Sequence, residues 1–589
     1  MNIYEILQEI ITVDQRRLTM SAFTEEKLSE LSEERDKKIY ILLRNLASLG
    51  VKFKNGNIEV YPYFITADGK RSFSVEDLSE DDYALLRSLE FDKIPKLLQI
   101  RVADILWKEK RDYKMALLSA RLSYELYLSF FDVKEWTTCF NFVSHAVNLS
   151  AQLKAEELNT YLQEINEKII ELNGEDSSLL SLSLINLLIS SKWADYTAIL
   201  TVLDNIIAQS FDKEQKSERA FDLKTKILYK QGNPEAAMEN NRAFARYLEK
   251  KADIEDDNNI QGLFMAKQYL EKAVHIYRNN GSPEDGKRVH FRLMEIQKRI
   301  PQYMITITES KDMTKHYEAI QGVFSGLSFK ESVVNLSYFT QLYKKDSLRE
   351  DVLEDAANPL TQFFTTGLMS STGQTLANIP AINVQNPDER ALEQHMYWNM
   401  VTLAEMEGNT VLNWAMTIIK ANYTFSMDDL QFIVKNNPII PPGRERIFLS
   451  GLYYGLMGDL YVALHILAPQ VENLFRCLAE TFGANMSTLD DDNLSEAKTL
   501  TSIFDAPELV DCYDNDILFL IKGLMNEKTG ANIRNEIAHG IMSEQKGNSG
   551  VARFFFCWVL KLLSFTSKEC QDTIRNILEK TASAKDIPD

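Results

Sequence analysis

The chain has 589 residues, of which 45% are hydrophobic and 25% are charged. This composition is typical of a globular protein with several hydrophobic cores, and it excludes a wholly disordered chain. Acidic side chains outnumber basic ones by 85 to 65, giving a net charge of −20. That balance excludes a chain-wide coat for nucleic acid, so any phosphate-binding site must be local.

The five cysteines are widely spaced and form neither a CxxC pair nor another metal-ligand pattern. An odd number of cysteines without a disulfide framework indicates a reducing cytoplasm. The N-terminus does not begin with a basic segment followed by an apolar run, so no signal peptide is expected. No apolar stretch reaches the ~20 residues that a bilayer crossing needs. We therefore expect a cytoplasmic protein without membrane insertion, bound metal or cofactor.

Residues 1–100 mix helical and strand patterns, which predicts a small α/β region. Apolar and polar residues alternate over 51–60 around Asn55-Gly56, the strongest short signal for a β-hairpin. A second turn at Asp68-Gly69 favours a third strand, and hence a small β-meander.

Residues 101–365 are predicted to form a helical-repeat region of α-solenoid type. Two helix starts are clear, because Pro234 follows Asn233 and Pro283 follows Ser282, a cap residue before proline at the first helical position. These starts do not keep the 34-residue spacing of a tetratricopeptide repeat, so an irregular helical domain remains the alternative. We expect this region to sense a signal or to bind a protein partner.

Residues 366–390 are rich in Ser, Thr, Gly, Asn and Pro without helical periodicity, which predicts a linker. The remaining 391–589 form a predicted C-terminal helical bundle. Its predicted helical runs are 444–457, 459–483, 494–503, 515–527, 532–545 and 550–581. The predicted fold class is therefore mainly α, with a small N-terminal β-meander.

The segment 530–540, GANIRNEIAHG, is the most informative in the chain. Asn532 is expected to cap a helix that carries Arg534 and Asn535 in its first turn. Asn535 and His539 are four residues apart and share a helical face. The pattern predicts a guanidinium, an amide and an imidazole close to a helix N-terminus, where backbone N–H groups favour an anion.

These three residue types suit the chemistry of a phosphodiester. Arginine offers a planar fork to two phosphate oxygens, histidine can exchange a proton near neutral pH, and asparagine can orient the imidazole or a substrate oxygen. RNA supplies its own nucleophile, the 2′-OH, so no metal is required. A single histidine cannot readily act as both base and acid, which indicates that two copies meet across a symmetric interface.

A shorter match, Arg390 followed by His395, shows how common the bare arginine–histidine spacing is. It lacks the asparagine after the arginine and the glycine after the histidine. We interpret it as a solvated helix face.

The longer motif, Arg534-Asn535-xxx-His539-Gly540, resembles the RNxxxHG signature of a family within the HEPN superfamily (higher eukaryotes and prokaryotes nucleotide-binding). Vertebrate members of that family are named for ER membrane-associated RNA degradation. Residues 467–476, LAPQVENLFR, are similar to the family's upstream helix, which carries a Pro-Gln-hydrophobic-Glu segment and a later arginine. The resemblance covers roughly 440–565.

The resemblance implies an all-α bundle that forms a homodimer, with two motifs facing each other in a cleft. Many members of the superfamily are metal-independent endoribonucleases of bacterial stress and phage defence. Carried over, Arg534 would neutralise phosphate charge, His539 would be the acid and base, and Asn535 would support both. The implied partner is RNA. One subgroup is silenced by nucleotidylation of a tyrosine two residues after the histidine, a position that is Ile541 here.

Two alternatives stay open at this point. The bundle could bind RNA or a nucleotide without cleaving it, or it could be a non-catalytic scaffold that only dimerises. In the scaffold, Arg534 would pair with an acid such as Glu472, and His539 would be bonded inside the bundle. An acidic segment, 486–516, is expected to be a solvated face, or else to occlude the site through Asp490, Asp491 and Asp492.

Overall fold

The computed structural model describes residues 2–585, except for 11–19, 55–56, 67–69, 257–258, 304–311, 358–364, 370–372, 490–494, 498 and 512. Over these residues the protein is mainly α-helical, with three two-stranded antiparallel sheets. This confirms the predicted fold class. The chain divides into two compact units, Met1–Ile296 and Gln297–Asp589.

The first unit begins with helices and one hairpin, and continues with helices alone. Its elements are α1 (Ile3–Ile10), α2 (Glu25–Ser29), α3 (Glu34–Ala47), β1 (Gly50–Lys54), β2 (Asn57–Tyr61), α4 (Glu80–Arg87), α5 (Lys96–Lys110), α6 (Tyr113–Ser129), α7 (Trp136–Leu153), α8 (Leu158–Leu172), α9 (Leu180–Ser190), α10 (Thr197–Gln209), α11 (Glu214–Lys230), α12 (Pro234–Glu255), α13 (Ile260–Asn279) and α14 (Pro283–Arg299).

The N-terminal hairpin forms where the alternating pattern predicts it. Val51 pairs with Val60 and Phe53 with Ile58, so the register follows the apolar alternation. The predicted third strand is wrong within the described residues, because Ile65 and Arg71 form only an isolated bridge. The Asn55-Gly56 and Asp68-Gly69 pairs themselves lie outside the described residues.

From α5 to α7 and from α10 to α13, each helix packs on its neighbour in the chain. The two predicted helix starts are confirmed, since α12 begins at Pro234 and α14 at Pro283. The side chain of Asn233 caps α12 by accepting a hydrogen bond from the backbone N–H of Ala236 at 3.1 Å. The N–H group at the first position of a helix has no acceptor within the helix, so proline, which lacks that group, is tolerated there. Its fixed φ also suits the first helical turn.

The second unit is a helical bundle with two small hairpins. Its elements are α15 (Thr314–Phe324), α16 (Phe329–Phe339), α17 (Lys345–Ala356), β3 (Thr366–Met369), β4 (Thr375–Ile379), α18 (Glu389–Glu407), a π-helical turn (Gly408–Leu412), α19 (Asn413–Asn422), α20 (Gln431–Val434), α21 (Glu445–Leu456), α22 (Leu460–Thr481), β5 (Ser487–Leu489), β6 (Ser495–Ala497), α23 (Leu500–Phe504), α24 (Pro507–Val510), α25 (Asn515–Met525), α26 (Ile533–Ala538), α27 (Glu544–Gly547), α28 (Gly550–Thr566) and α29 (Lys568–Lys585).

The apolar helix α28 forms the centre of this bundle. Phe554, Phe555 and Phe556 are fully buried, and α16, α18, α21 and α22 all pack against the helix. Within the described residues no single helix is both long and apolar enough to cross a membrane, although α28 and the first part of α29, bent by 91° between them, pass that test as a pair. Here α28 packs inside the bundle.

At one crossing in this bundle, two segments meet through their main chains. A Cβ atom added to Gly408 would lie 1.9 Å from the carbonyl oxygen of Gly550, and one added to Gly550 would lie 2.2 Å from that of Glu405. The Glu405 carboxylate accepts a hydrogen bond from the backbone N–H of Val551 at 2.7 Å, and Arg553 donates to the carbonyl of Gly408 at 2.9 Å. The crossing therefore joins the π-helical turn to the start of α28.

Several predicted boundaries in the second half differ from the structure. The predicted linker 366–390 contains the β3–β4 hairpin, and β4 packs on α18. The boundary between the two compact units lies between Ile296 and Gln297. The predicted helix 550–581 is broken between Thr566 and Lys568, and 494–503 contains β6 before the short α23.

Candidate active site

The site is built on α22, a long amphipathic helix with one face in the core. Asp459 caps its start by accepting a hydrogen bond from the N–H of Val462 at 3.1 Å. Leu467, Val471 and Leu474 are fully buried. Glu472 lies beside this apolar face and is itself only 8% exposed. A carboxylate this buried requires cationic or hydrogen-bonding partners.

Two arginines supply those partners. The Nε atom of Arg534 lies 2.6 Å from Oε2 of Glu472, and Nη2 of Arg476, one turn along α22, lies 2.8 Å from Oε1. A second Arg534 nitrogen, Nη2, is 3.4 Å from Oε1. The carboxylate is thus shared by two guanidinium groups, and the cluster carries one positive charge in excess.

Arg534 is brought to this carboxylate by the short helix α26 and the loop before it. The loop approaches α25 closely, since the N–H of Ala531 donates to the carbonyl of Gly523 at 2.8 Å. A Cβ atom added to Gly530 would lie 2.0 Å from that same oxygen, so a glycine is needed there. The chain then turns into α26 through Asn532, whose φ is 54°.

The predicted capping role of Asn532 is wrong. The residue adopts a left-handed conformation, and its side chain makes no cap hydrogen bond to α26. Its Oδ1 instead accepts a hydrogen bond from the Asn535 amide at 2.8 Å. Asparagine tolerates the left-handed region better than most residues, which accounts for its presence at this turn.

Asn535 ties α26 to the preceding loop. Its Nδ2 group lies 3.3 Å from both the backbone carbonyl and the side-chain oxygen of Asn526, in addition to its bond to Asn532. Its Oδ1 lies 3.4 Å from Nη1 of Arg534. The amide therefore positions the loop and the guanidinium together, rather than facing the imidazole.

His539 ends α26 and is exposed. Its backbone N–H donates to the carbonyl of Asn535, but no hydrogen bond or ion pair of its ring is found in the described part of the chain. Gly540 follows with φ of 66° and turns the chain away, after which the N–H of Ile541 bonds back to Glu536. The predicted helix 532–545 is therefore wrong, because this left-handed glycine stops it.

The expected arrangement at a helix N-terminus is found only in part, because Arg534 and Asn535 lie in the first turn as predicted but His539 does not. The helix has only six residues, with Arg534 in its first turn and His539 just after its last residue. The imidazole therefore lies at the C-terminal end, where exposed carbonyl groups favour a cation rather than an anion. Any anion bound here must be held by side chains.

Further charged side chains lie close to the motif in the sequence, and most of them are in ion pairs. Lys546 on α27 pairs with Glu536 on α26 at 2.5 Å, and Lys522 pairs with Asp505 at 2.5 Å. Lys528, in the loop before α26, is exposed. The acidic residues Asp490, Asp491 and Asp492, predicted to occlude the site, lie outside the described residues. Among the described residues, no cluster of His, Cys, Asp or Glu could hold a metal ion.

The second arginine–histidine match lies on α18 and differs in its environment. Arg390 is exposed, and Nε2 of His395 lies 2.8 Å from the carbonyl oxygen of Pro380. Unlike His539, His395 thus has a hydrogen-bond partner. This segment provides a matched control for the longer motif.

Sequence reasoning identified Arg476 only through the resemblance of its helix, and it named Glu472 both through that resemblance and as a partner of Arg534 in the scaffold alternative. It missed Asn526, which accepts from the Asn535 amide. Asn526 directly follows the last residue of α25, and only the tertiary approach of the loop brings it to Asn535. No local pattern marks it.

Comparison with known proteins gives one match. A family model described as a domain of unknown function, DUF7380, matches residues 1–160, which lie in the first unit and do not include the candidate site. Neither the curated proteins nor the solved structures contain a match to this chain.

Proposed function

We propose that the protein is a metal-independent endoribonuclease of HEPN type, with RNA bound at Arg534, Asn535 and His539. The observation that carries the proposal is the exposed His539 ring, which is without a partner among the described residues and follows a half-buried arginine by little more than one helical turn. An imidazole in this state is ready to exchange a proton with a substrate. The resemblance of the RNxxxHG motif supports the same assignment.

In the proposed reaction, the imidazole of His539 removes the proton of a ribose 2′-OH. The 2′-oxygen forms a bond to phosphorus, the bond from phosphorus to the 5′-oxygen breaks, and a proton passes to that 5′-oxygen. The products are a 2′,3′-cyclic phosphate and a 5′-hydroxyl. The guanidinium of Arg534 neutralises charge on the phosphorus oxygens as it develops.

The Glu472 contacts limit how Arg534 can act. Its Nε and Nη2 atoms face Glu472, and one N–H of Nη1 points to Oδ1 of Asn535, so the second N–H of Nη1 and the exposed edge of the guanidinium remain for a phosphate. Arg476 shares the same carboxylate, so the negative charge of Glu472 is divided between two guanidinium groups. We propose that a second copy of the chain supplies the proton to the leaving group, which makes the active form a homodimer.

The proposal extends to the rest of the chain. No disulfide joins the four described cysteines, which supports an enzyme of the reducing cytoplasm. The helices of the first unit would sense a signal or bind a protein partner, in bacterial stress or phage defence.

One observation favours a second function, a non-catalytic scaffold or RNA-binding protein whose bundle only dimerises. The Arg534–Glu472 pair is the contact expected of a structural arginine. The exposure of His539 speaks against the fully structural version, in which the ring would be bonded inside the bundle.

The test is cleavage of mixed RNA by the full-length protein in EDTA. We expect wild type to cleave, and His539→Ala and Arg534→Ala to lose at least a hundredfold in rate. Arg534→Lys keeps the charge but loses the planar fork, so it is expected to be impaired as well. RNA methylated at every 2′-oxygen should resist cleavage, because the nucleophile is blocked.

The matched controls are Arg390→Ala and His395→Ala, which alter the shorter match and should cleave at the wild-type rate. Because His539 is exposed, His539→Ala is expected to fold normally, and its thermal unfolding checks this. Light scattering reports the dimer independently. Cleavage that survives in His539→Ala contradicts the proposal, and RNA binding without cleavage in any sample favours the second function.

A further inference from the structure

A cavity of about 590 Å³ in the second unit is lined mainly by apolar side chains, but a larger one in the first unit has a distinctive chemistry. This larger cavity has a volume of about 880 Å³ and lies between the end of α3, the β1–β2 hairpin and α5. It falls within the range typical of ligand pockets. It belongs to the residues that the DUF7380 model matches.

Among the described residues that line the cavity, one is charged, Arg101 of α5. This arginine is mostly withdrawn from solvent, and burial lowers its pKa. Its Nη1 atom donates a hydrogen bond to the carbonyl oxygen of Leu49. No carboxylate forms an ion pair with Arg101 in the described part of the chain. Asp104, one turn along α5, is engaged by Ser119 and His145 at 2.6 and 3.1 Å.

An arginine carries five N–H donors, and a partly buried guanidinium with one backbone acceptor among the described residues has donors left for a ligand. The described residues of the cavity lining include no aspartate or glutamate that could accept from these donors. The lining does hold further donors, including the hydroxyl of Ser72, which already accepts from the N–H of Phe64 at 3.2 Å and keeps its own proton to donate. The cavity therefore favours an anion.

Aromatic rings form the other walls. Tyr61, Tyr63, Phe64 and Phe73 all line the cavity, and Tyr63 is 81% exposed and Phe64 51% exposed. The Tyr61 ring lies against Gly50 and Lys52 of β1. A Cβ atom added to Gly50 would lie 2.3 Å from that ring, and the ammonium of Lys52 lies 5.1 Å from its centroid. Such rings provide flat apolar surface for stacking.

From these features we infer that the first unit binds a small aromatic anion of about the size of a nucleoside monophosphate, with its anionic group on Arg101 and its ring against Tyr61 and Tyr63. This inference goes beyond the proposed ribonuclease activity and does not depend on it. A phosphate or a carboxylate could serve as the anionic group, since arginine binds both in the same forked geometry.

The test is isothermal titration calorimetry of the full-length protein with four separate probes: adenosine monophosphate, 2-naphthoate, adenosine and inorganic phosphate. We expect one or both aromatic anions to bind, and adenosine and phosphate to bind at least tenfold more weakly. Binding of only 2-naphthoate identifies a carboxylate ligand, and binding of only the nucleotide identifies a phosphate ligand. If neither adenosine monophosphate nor 2-naphthoate binds at 1 mM, the inference is overturned. It is also overturned if inorganic phosphate binds as tightly as one of these two aromatic anions.

Variants separate the two parts of the site. Arg101→Gln should weaken binding of the anions at least tenfold, while Arg121→Gln, an exposed arginine on α6, should leave it unchanged. Because Arg101 also bonds to Leu49, its replacement could disturb folding, so Tyr63→Ala provides the second variant. Tyr63 is exposed, and its removal should weaken the aromatic anions several-fold without lowering the unfolding temperature. Unchanged affinity in Tyr63→Ala overturns the placement of the ring.

Discussion

Glu472 and Arg534 are 62 residues apart in the chain, and their side chains meet at 2.6 Å. The contact joins α22 to α26, and Arg476 completes it from the same helix as Glu472. It fixes the orientation of Arg534 before any ligand arrives. The same carboxylate therefore stabilises the bundle and decides which edge of the guanidinium remains open.

The first prediction concerns this carboxylate. Glu472→Gln removes the carboxylate charge that lies between two arginines, so we expect a loss of about 2 kcal/mol in the free energy of unfolding of the second unit. Differential scanning calorimetry measures it. Glu480→Gln on the same helix is the matched control, because Glu480 is exposed. Equal stabilities of the two variants would show that the pair contributes little.

The second prediction concerns Asn535. In Asn535→Asp a carboxylate oxygen replaces the amide group and faces three acceptor oxygens, those of Asn526 and Asn532. We expect a loss of about 1–3 kcal/mol and faster hydrogen exchange in residues 526–532. Asn548→Asp is the control, since Asn548 is exposed and its amide donates to the carbonyl of Glu544, a residue of the same short helix. Unchanged exchange in the loop would refute the positioning role.

The third prediction concerns pH and Glu407, at the end of α18. Burial raises the pKa of its carboxyl above the usual range, although the N–H of Gln341 and the hydroxyl of Tyr343 both donate to it. A raised pKa in the folded state means that folding favours the protonated form. The contribution of the Glu407 carboxyl to the free energy of unfolding is therefore complete at pH values below its pKa in the unfolded chain, about 4.5. It is lost as the pH rises through the pKa of the same group in the folded protein.

Glu407→Gln removes this titration. The difference in the free energy of unfolding, wild type minus variant, should fall as pH is raised from 4.5 and level off above the folded pKa. Urea titrations at several pH values measure it. Glu350→Gln, at an exposed site on α17, is the control. Its free energy of unfolding should depend on pH in the same way as that of the wild type. A difference that rises with pH would contradict the assignment.

The fourth prediction concerns the thiols. Cys139, Cys557 and Cys570 are buried, and burial raises the pKa of Cys557 and Cys570. Cys477 on α22 is partly exposed, and burial raises its pKa too. In the native protein we expect an alkylating reagent to modify Cys477 first among these four, and slowly, because the thiolate is the reactive form. Peptide mass mapping measures the order, and labelling in guanidinium is the control.

Local signals predicted much of the fold. Pro234 and Pro283 each follow a residue of a type that caps helices, and each is the first residue of its helix. This signal can be read from the sequence because a cap residue and the fixed φ of proline influence only the adjacent residues. The hairpin over 50–61 follows from its alternation in the same way. The predicted helix 532–545 failed because its apolar spacing continues across Gly540, whereas the left-handed backbone at that glycine stops it.

Long-range contacts could not be read from such patterns. The sequence raised the pairing of Arg534 with Glu472 only as one alternative, because nothing local specifies a partner 62 residues away. Asn526 was missed for the same reason. The segment 366–390 looked like a linker because its residues are small and polar, yet β3 and β4 pair through main-chain bonds that such residues permit.

The crossing of Gly408 and Gly550 restricts which amino-acid substitutions the protein can accept during evolution. A side chain at either position would overlap main-chain atoms. Such a clash cannot be relieved by a substitution on the opposite segment, because each added Cβ atom overlaps a main-chain carbonyl oxygen, that of Gly550 or that of Glu405, which every residue carries. A genetic screen that starts from Gly408→Ala or Gly550→Ala should therefore yield reversion to glycine, and no suppressor at the facing position.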